Sequence, residues 1–235
     1  MKIVFEKEEK ILQKKIATAL SEILVTKEPT LLLLASGSAL LFLDLIDREA
    51  LTSNLTVGMV DERYSEDPNI NNFAQLKKTK FYATAEKRRV HFFDSQVKKD
   101  ETLEQYGRRF AENIEDWLRE NPKGHLIATF GMGEDGHTAG IFPYPENPEE
   151  FRSLFEKNPT ATAYDAKNKN MYSLRVTTTY TFIKTKIDKA LIYITGEKKR
   201  KALARVLSSS GTIEETPGRI WREMRDVKIF SDIKI

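Results

Sequence analysis

Gly131-Met132-Gly133-Glu134-Asp135-Gly136-His137-Thr138-Ala139-Gly140-Ile141-Phe142-Pro143 is the stretch on which the reading of this chain turns. It follows His125-Leu126-Ile127-Ala128-Thr129-Phe130, a short apolar run with the character of a buried strand. Glycines at 131, 133 and 136 give the turn backbone freedom and let other groups approach it closely. A strand that ends in glycines and then shows an acid and an imidazole is a common way to build a site at a sheet's carboxyl edge. His137 follows Asp135 by two residues, so one turn can present both to one pocket. Taken alone, the same pattern also fits a tight connection carrying a satisfied polar histidine.

Working outward, the flanking segments alternate strand and helix. Residues 6–26 carry Ile11, Leu12, Ile16, Ala19, Leu20, Ile23 and Leu24 at helical spacing. Leu31–Ala35 reads as a strand apolar on both faces, as parallel strands are. Ser36-Gly37-Ser38 is its turn, and a helix is expected over 39–46 with Ser38 as N-cap. Residues 55–60 form the next strand and run into Asp61-Glu62-Arg63-Tyr64. Residues 67–72 are a loop or a turn into a short helix, 89–93 a short strand, and 101–120 a helix stopped by Asn121-Pro122-Lys123-Gly124. Beyond the central stretch, a helix is expected over 149–157, strands over 171–179 and 190–195, and a helix from about Glu197 to Leu207. A short helix near 217–224 and a strand over 226–230 close the chain. The alternation predicts an α/β fold: one domain over 1–235, doubly wound, with a mainly parallel sheet and helices on both faces.

Composition narrows the function classes. Apolar residues make up 40%, enough for a real core, and the charged 31% nearly cancel to +3. Lys and Arg are interleaved with Asp and Glu, so the pI near 8.8 does not point to nucleic acid. No cysteine is present, which excludes thiolate chemistry. His91, His125 and His137 show no metal-ligand spacing, and the glycines do not follow the dinucleotide pattern, so neither a metal nor a cofactor is expected. Met1–Glu6 lacks a signal-peptide core, and the apolar run 31–43 is too short for a membrane span. A cytoplasmic protein without a membrane partner is expected, as a monomer or small homo-oligomer.

In an open α/β sheet the carboxyl ends of the strands share one edge. The segments 36–38, 61–63, 131–137 and 196–199 therefore have the means to converge. Together they offer backbone donors, Arg63, Lys199 and His137: a pocket for a phosphorylated small molecule with a general base beside it. For Arg63 and Lys199 taken singly, a surface charge or a sheet-edge ion pair fits as well.

In these residues the chain resembles the 6-phosphogluconolactonase family, within the group that includes the glucosamine-6-phosphate deaminases and isomerases. Residues 131–139 resemble that family's G-M-G-x-D-G-H-T-A signature, continued by Phe142-Pro143. Asp61-Glu62-Arg63 matches its D-E-R, and Asn71-Asn72 stands where Ser-Asn is usual. Arg175-Val176-Thr177 resembles its R-[VIL]-T strand, and Thr195–Lys199 its T-G-x-x-K. Pro217-Gly218-Arg219 is similar to the Pro and Arg before its last strand. Two segments depart. The phosphate loop S-G-G-S-[TS]-P reads Ala35-Ser36-Gly37-Ser38-Ala39-Leu40 here, and Gly140 and Tyr144 differ from the usual S-L-F-P-G. The deaminase branch carries a Glu five positions after the His, where this chain has Phe142, and D-E-Y where it has D-E-R.

The resemblance implies hydrolysis of 6-phospho-D-glucono-1,5-lactone to 6-phosphogluconate. His137 is then the general base, with Asp135 orienting it or binding sugar hydroxyls. Gly131 and Gly133 belong to the turn whose amides face the developing oxyanion. Gly37, Ser38, Arg63 and Lys199 are implied for the phosphate, with Arg175 a further cation and Asp61 and Asn72 beside the substrate. A deaminase-type isomerase and a non-catalytic phosphosugar-binding protein are the alternatives.

Overall fold

Leu31–Leu34, Leu55–Met59, Leu126–Phe130 and Ala190–Ile194 are apolar with no polar face, so they are stable only with both sheet faces covered. The computed structural model describes residues 1–235 and places all four runs inside a parallel sheet. In chain order the elements are β1 (Lys2–Phe5), α1 (Glu9–Leu24), β2 (Thr30–Leu34), β3 (Leu55–Met59) and β4 (Asp61–Arg63). Then come α2 (Asn72–Leu76), α3 (Lys80–Lys87), β5 (His91–Phe92), α4 (Leu103–Glu120), β6 (His125–Phe130) and α5 (Pro148–Phe155). The last are β7 (Ala161–Asp165), β8 (Leu174–Thr178), α6 (Tyr180–Lys186), β9 (Lys189–Ile194), α7 (Arg200–Leu207) and β10 (Asp226–Ser231).

Seven strands pair in parallel in the order β1-β10-β9-β6-β2-β3-β5, and β4-β8-β7 form a separate antiparallel sheet. From β2 the chain proceeds outward through β3 to β5, then returns to the other side of β2 as β6 and proceeds the other way. The winding therefore reverses between β2 and β6, which opens a crevice at their carboxyl ends. At its floor the buried Thr129 hydroxyl accepts from the Ala35 amide at 3.1 Å, tying the two strand ends together.

The helices form where the apolar spacing predicts. In α1, Leu12, Ile16, Leu20 and Leu24 recur every fourth residue and all are buried. In α4, Thr102 and Gln105 make a reciprocal capping box and Tyr106, Phe110, Ile114 and Trp117 face inward. One hydrophobic cluster runs from α1 through the large sheet to Phe151, Phe155 and Tyr164 beneath the small one. No helix is long and apolar enough to cross a membrane.

Three expectations are corrected. The helix expected over 39–46 is two 3-10 turns, Gly37–Leu40 and Leu43–Leu45, and Ser38 caps neither. Its residues are apolar without a helical stripe, and Asp44 turns away to accept from the Phe81 amide at 2.8 Å at the start of α3. The strand expected over 171–179 is β8, shorter and antiparallel. Asp61–Arg63, expected only as the charged end of the strand over 55–60, is a strand of its own, β4, which leaves the large sheet at Val60. There the Val60 carbonyl accepts from both the amide and the hydroxyl of Thr178. The strands β1 and β7 and the helices α3 and α6 have no counterpart in the sequence reading.

Candidate active site

The carboxyl ends of β2, β3 and β6 open into a cavity of about 290 Å3, the size of a small ligand site. Its walls include Ser36, Gly37 and Ser38 from the turn after β2, Asp61 and Arg63 from β4, and Gly131, His137 and Gly140 from the turn after β6. Asn170 and Arg175 close it from the small sheet. Of the residues read from the sequence, Gly37, Ser38, Asp61, Arg63, Gly131, His137 and Arg175 thus meet at one place.

The turn after β6 is folded around His137. The Gly133 amide donates to the His137 carbonyl at 2.9 Å, and the Gly136 amide to the Gly133 carbonyl at 3.1 Å. Asp135 Oδ1 accepts from the His137 amide at 3.0 Å and lies 2.7 Å from His137 Nδ1. That contact assigns the Nδ1 proton to the Asp135 side and leaves Nε2 as the free acceptor. The imidazole lies on the Gly133 backbone, so a Cβ there would sit 2.2 Å from two ring atoms. The ring also packs on Phe142, centroids 4.7 Å apart. Burial opposes the charge on Asp135, but the hydrogen bond and charge of His137 outweigh it and hold the carboxyl below the ordinary carboxylate range.

Thr138–Ile141 then closes a tight turn with reciprocal amide–carbonyl bonds, and its central residues Ala139 and Gly140 have φ of 48° and 65°. Two positive φ values make it the primed type that an Xaa-Gly pair suits. A Cβ at Gly140 would meet Asp61 Oδ2 at 2.9 Å, so a side chain here would displace Asp61. The small sheet grips this turn from behind: the Thr177 hydroxyl donates to the Ala139 carbonyl and the Tyr164 hydroxyl to the Gly140 carbonyl. The amides of Met132, Ala139 and Gly140, all on the cavity wall, have no acceptor within the chain.

The cations come from the small sheet, where Arg63 and Arg175 stand directly opposite each other in the β4–β8 register. Arg175 is engaged by Asp61 Oδ2 at 3.1 Å, the Tyr172 carbonyl at 3.1 Å and Asn170 Oδ1 at 3.3 Å. Arg63 forms no ion pair. It donates to the Ile70 carbonyl at 3.3 Å and lies over the Tyr172 ring, and its buried Nε has no partner. Burial and then the facing Arg175 charge both lower its proton affinity. Burial likewise pushes the Asp61 carboxyl up, against the pull of Arg175, Arg63 and His137.

Beneath this pair, Glu62 is fully buried and accepts from the amides of Asn72, Phe73 and Arg63 and from the Ser95 hydroxyl, at 2.6–3.0 Å. Burial pushes its carboxyl up to about 8, against those four donors.

The remaining expected residues stand off the wall. Asn72 is buried beneath it and donates to the Asp61 carbonyl at 3.0 Å, so it holds Asp61 from behind. Gly133 and Asp135 act on His137. Lys199 is half-buried beside Asp232 and Glu134, next to the turn but outside the cavity lining, and burial lowers its proton affinity. The Ser that replaces the first loop glycine is unstrained: Ser36 has φ −91°, and the positive φ of 66° falls on Gly37, which is retained. Asn170, Tyr172, Tyr164 and Thr177 were not foreseen. Thr177 was within reach through the R-V-T match; the others carry no motif.

An open parallel sheet with a cationic cavity at its switch point, walled by an Asp-held imidazole, places the chain among the α/β proteins that carry a crevice at the carboxyl edge of the sheet. The chain belongs to the family of glucosamine-6-phosphate isomerases and 6-phosphogluconolactonases, whose model matches residues 7–229. No curated protein matches the sequence. Among solved structures, it resembles 6-phosphogluconolactonase from Trypanosoma brucei at 19% identity and TM-score 0.76, covering 98% of this chain and 95% of that one. The Leishmania guyanensis 6-phosphogluconolactonase superposes at TM-score 0.73 with 21% identity, over 98% and 96% of the two chains. The Thermotoga maritima protein does so at 0.69 with 21%, over 97% of each. At these identities the likeness is one of fold.

Proposed function

We propose that this chain hydrolyses 6-phospho-D-glucono-1,5-lactone to 6-phosphogluconate. The observation that carries the reading is the pairing, across one small cavity, of an imidazole tied to Asp135 with an Arg63 guanidinium that has no anion of its own. The six-carbon ester needs a base at one end and a cation at the other, and the cavity offers both.

The phosphate takes Arg63, whose planar fork matches two of its oxygens, with the Gly37 and Ser38 amides at the first turn after β2 as further donors. Arg175 adds charge while remaining bound to Asp61. Lys199 serves from outside the lining, as a charge at the rim. The lactone carbonyl then lies toward the turn after β6. His137 Nε2 takes a proton from water as its oxygen attacks C1, and Asp135 steadies the imidazolium through Nδ1–H. Charge developing on the carbonyl oxygen meets the unpaired amides on the wall, those of Met132, Ala139 and Gly140, rather than the Gly133 and Gly136 amides, which are already bonded. As the tetrahedral centre collapses, the C1–O5 bond breaks and O5 takes the proton from His137. The product carries a carboxylic acid at C1 and a free hydroxyl at C5, and the imidazole is again neutral.

Phe142 favours this reading over the deaminase one. It sits where a ring-opening carboxylate would be, is buried, and packs on the His137 ring, so no acid reaches the sugar from that position.

The test is lactone hydrolysis with substrate generated in situ, set against the spontaneous rate. Acceleration by the native chain and none by His137→Ala is the expected result. Sugar-phosphate binding without turnover by the native chain would replace this reading with that of a binding protein.

A further inference from the structure

At the far end of the large sheet, β1 pairs only with β10 and its other edge is open. Edge strands are ordinarily blunted by charge, proline or a covering segment. In β1 only Lys2 is charged, while Ile3 and Phe5, with the preceding Met1, are 48%, 44% and 52% exposed.

The Glu6 amide donates to the Ser231 carbonyl at 3.0 Å. Backbone direction alternates along a strand, so Lys2, Val4 and Glu6 turn their amides and carbonyls toward β10, and Ile3 and Phe5 turn theirs outward. We propose that this edge pairs antiparallel with the same edge of a second copy of the chain, about a twofold axis at Val4, giving one continuous sheet through both copies.

The register follows from the sequence Lys2-Ile3-Val4-Phe5-Glu6. With Val4 facing Val4, Ile3 faces Phe5 of the second copy and Lys2 faces its Glu6. The residues with outward backbone groups, Ile3 and Phe5, then form the two hydrogen-bonded pairs, with four amide–carbonyl bonds. The apolar pairs of Ile3 and Phe5 meet on one face, and at each end Lys2 comes beside a Glu6 carboxylate that also accepts from Lys15 of its own chain at 2.6 Å. Sliding either strand by one residue sets Ile3, whose groups face outward, against Val4, whose groups face β10, and the bonds are lost. On the face that carries α1, Val4 and the half-exposed Ile11 line a shallow groove, which the twofold continues into its counterpart. The contact is isologous, the commonest kind in homo-oligomers. β10 and β9 stand between β1 and the cavity-bearing β6, so the cavity stays open.

Sedimentation velocity on the full chain, from about 1 to 500 µM, is expected to show a monomer–dimer equilibrium, since a short edge contact belongs to the weak end of interfaces. Ile3→Lys and Phe5→Glu each spoil both apolar pairs of the homodimer and should weaken it roughly tenfold or more. Mixed in equal amounts, the two variants should associate again, because the new lysine faces the new glutamate and the untouched Phe5 faces the untouched Ile3. Circular dichroism checks that each variant is folded. The chain has no cysteine, so Val4→Cys carries a single thiol. On the axis its Cα lies about 4.5 Å from its mate, within disulfide reach, whereas Ile3→Cys is placed diagonally at about 7–8 Å. Val4→Cys should therefore cross-link at least tenfold faster. A monomer at every concentration would overturn the proposal. So would association indifferent to both charge variants, or equal cross-linking at positions 3 and 4.

Discussion

Gly133→Ala is the smallest change that probes the proposed base without replacing it. The new Cβ would lie 2.2 Å from His137 Cε1 and Nδ1 and 2.6 Å from Asp135 Oδ1, and ordinary contact begins near 3.4 Å. The imidazole must therefore retreat by about 1.2 Å, next to the buried Phe142 on which it packs. A displacement of about 1 Å at a reacting group costs on the order of 100-fold in rate. Gly133 does not have a positive φ, so alanine adds no backbone strain, and the turn's bonds from Gly133 N and Gly136 N are unaffected. The variant should melt within a few degrees of the native chain, bind 6-phosphogluconate with similar affinity and lose roughly 100-fold in kcat. Gly131→Ala is the comparison, since a Cβ there meets nothing within 4 Å and the imidazole stays in place. Its methyl narrows the cavity, so KM should rise more than kcat falls. Full kcat in Gly133→Ala would refute the claim that the Asp135–His137 geometry matters, and with it the assignment of the base.

Other expectations follow from the same contacts. Asp135→Asn removes the carboxylate that fixes the Nδ1 proton and should lower kcat by about 10- to 100-fold with KM little changed. Because the folded state depresses the Asp135 carboxyl, its contribution is in place above the ordinary value near 3.9 and is lost as pH falls through the depressed one. Urea melts below pH 4 should therefore show the native chain losing its stability advantage over Asp135→Asn. Arg175→Met leaves the buried Asp61 without its cation and should cost about 3–5 kcal/mol in chemical denaturation. Arg63→Met should abolish stabilisation by added phosphate in thermal melts. Without phosphate it should be no less stable than the native chain, because it removes the charge facing Arg175.

What the sequence disclosed was what is local. The glycine–aspartate–histidine turn was legible because its chemistry and geometry lie within seven residues after one apolar strand. The parallel strands were legible because burial on both faces leaves no polar alternation. The small sheet was not. Ala161-Thr162-Ala163-Tyr164-Asp165 offers a single large core residue, Tyr164, and β4 is three charged residues whose strand character comes only from pairing with β8, over 110 residues away. The run 39–46 misled for the opposite reason: it is apolar throughout, and tertiary contacts at Asp44 and Phe42 settle it as tight turns. The departure at Ser36 leaves the loop's backbone unstrained, because the residue requiring positive φ is its neighbour Gly37.

The grip of the small sheet on the turn at Ala139 and Gly140 divides the labour between the two sheets. The large sheet carries the imidazole and its carboxylate; the small one carries Arg63, Arg175 and Asn170 and is joined to the turn through two hydroxyls and the fit of Gly140 against Asp61. The surface proposed to bind the ligand is thus coupled to the proposed base yet built from other strands. A library confined to the cavity-facing residues of β4, β8 and the segment between β7 and β8 would sample new anionic esters around an unaltered base. Changes at Thr177 or Tyr164 would instead loosen the coupling and blunt every ligand alike.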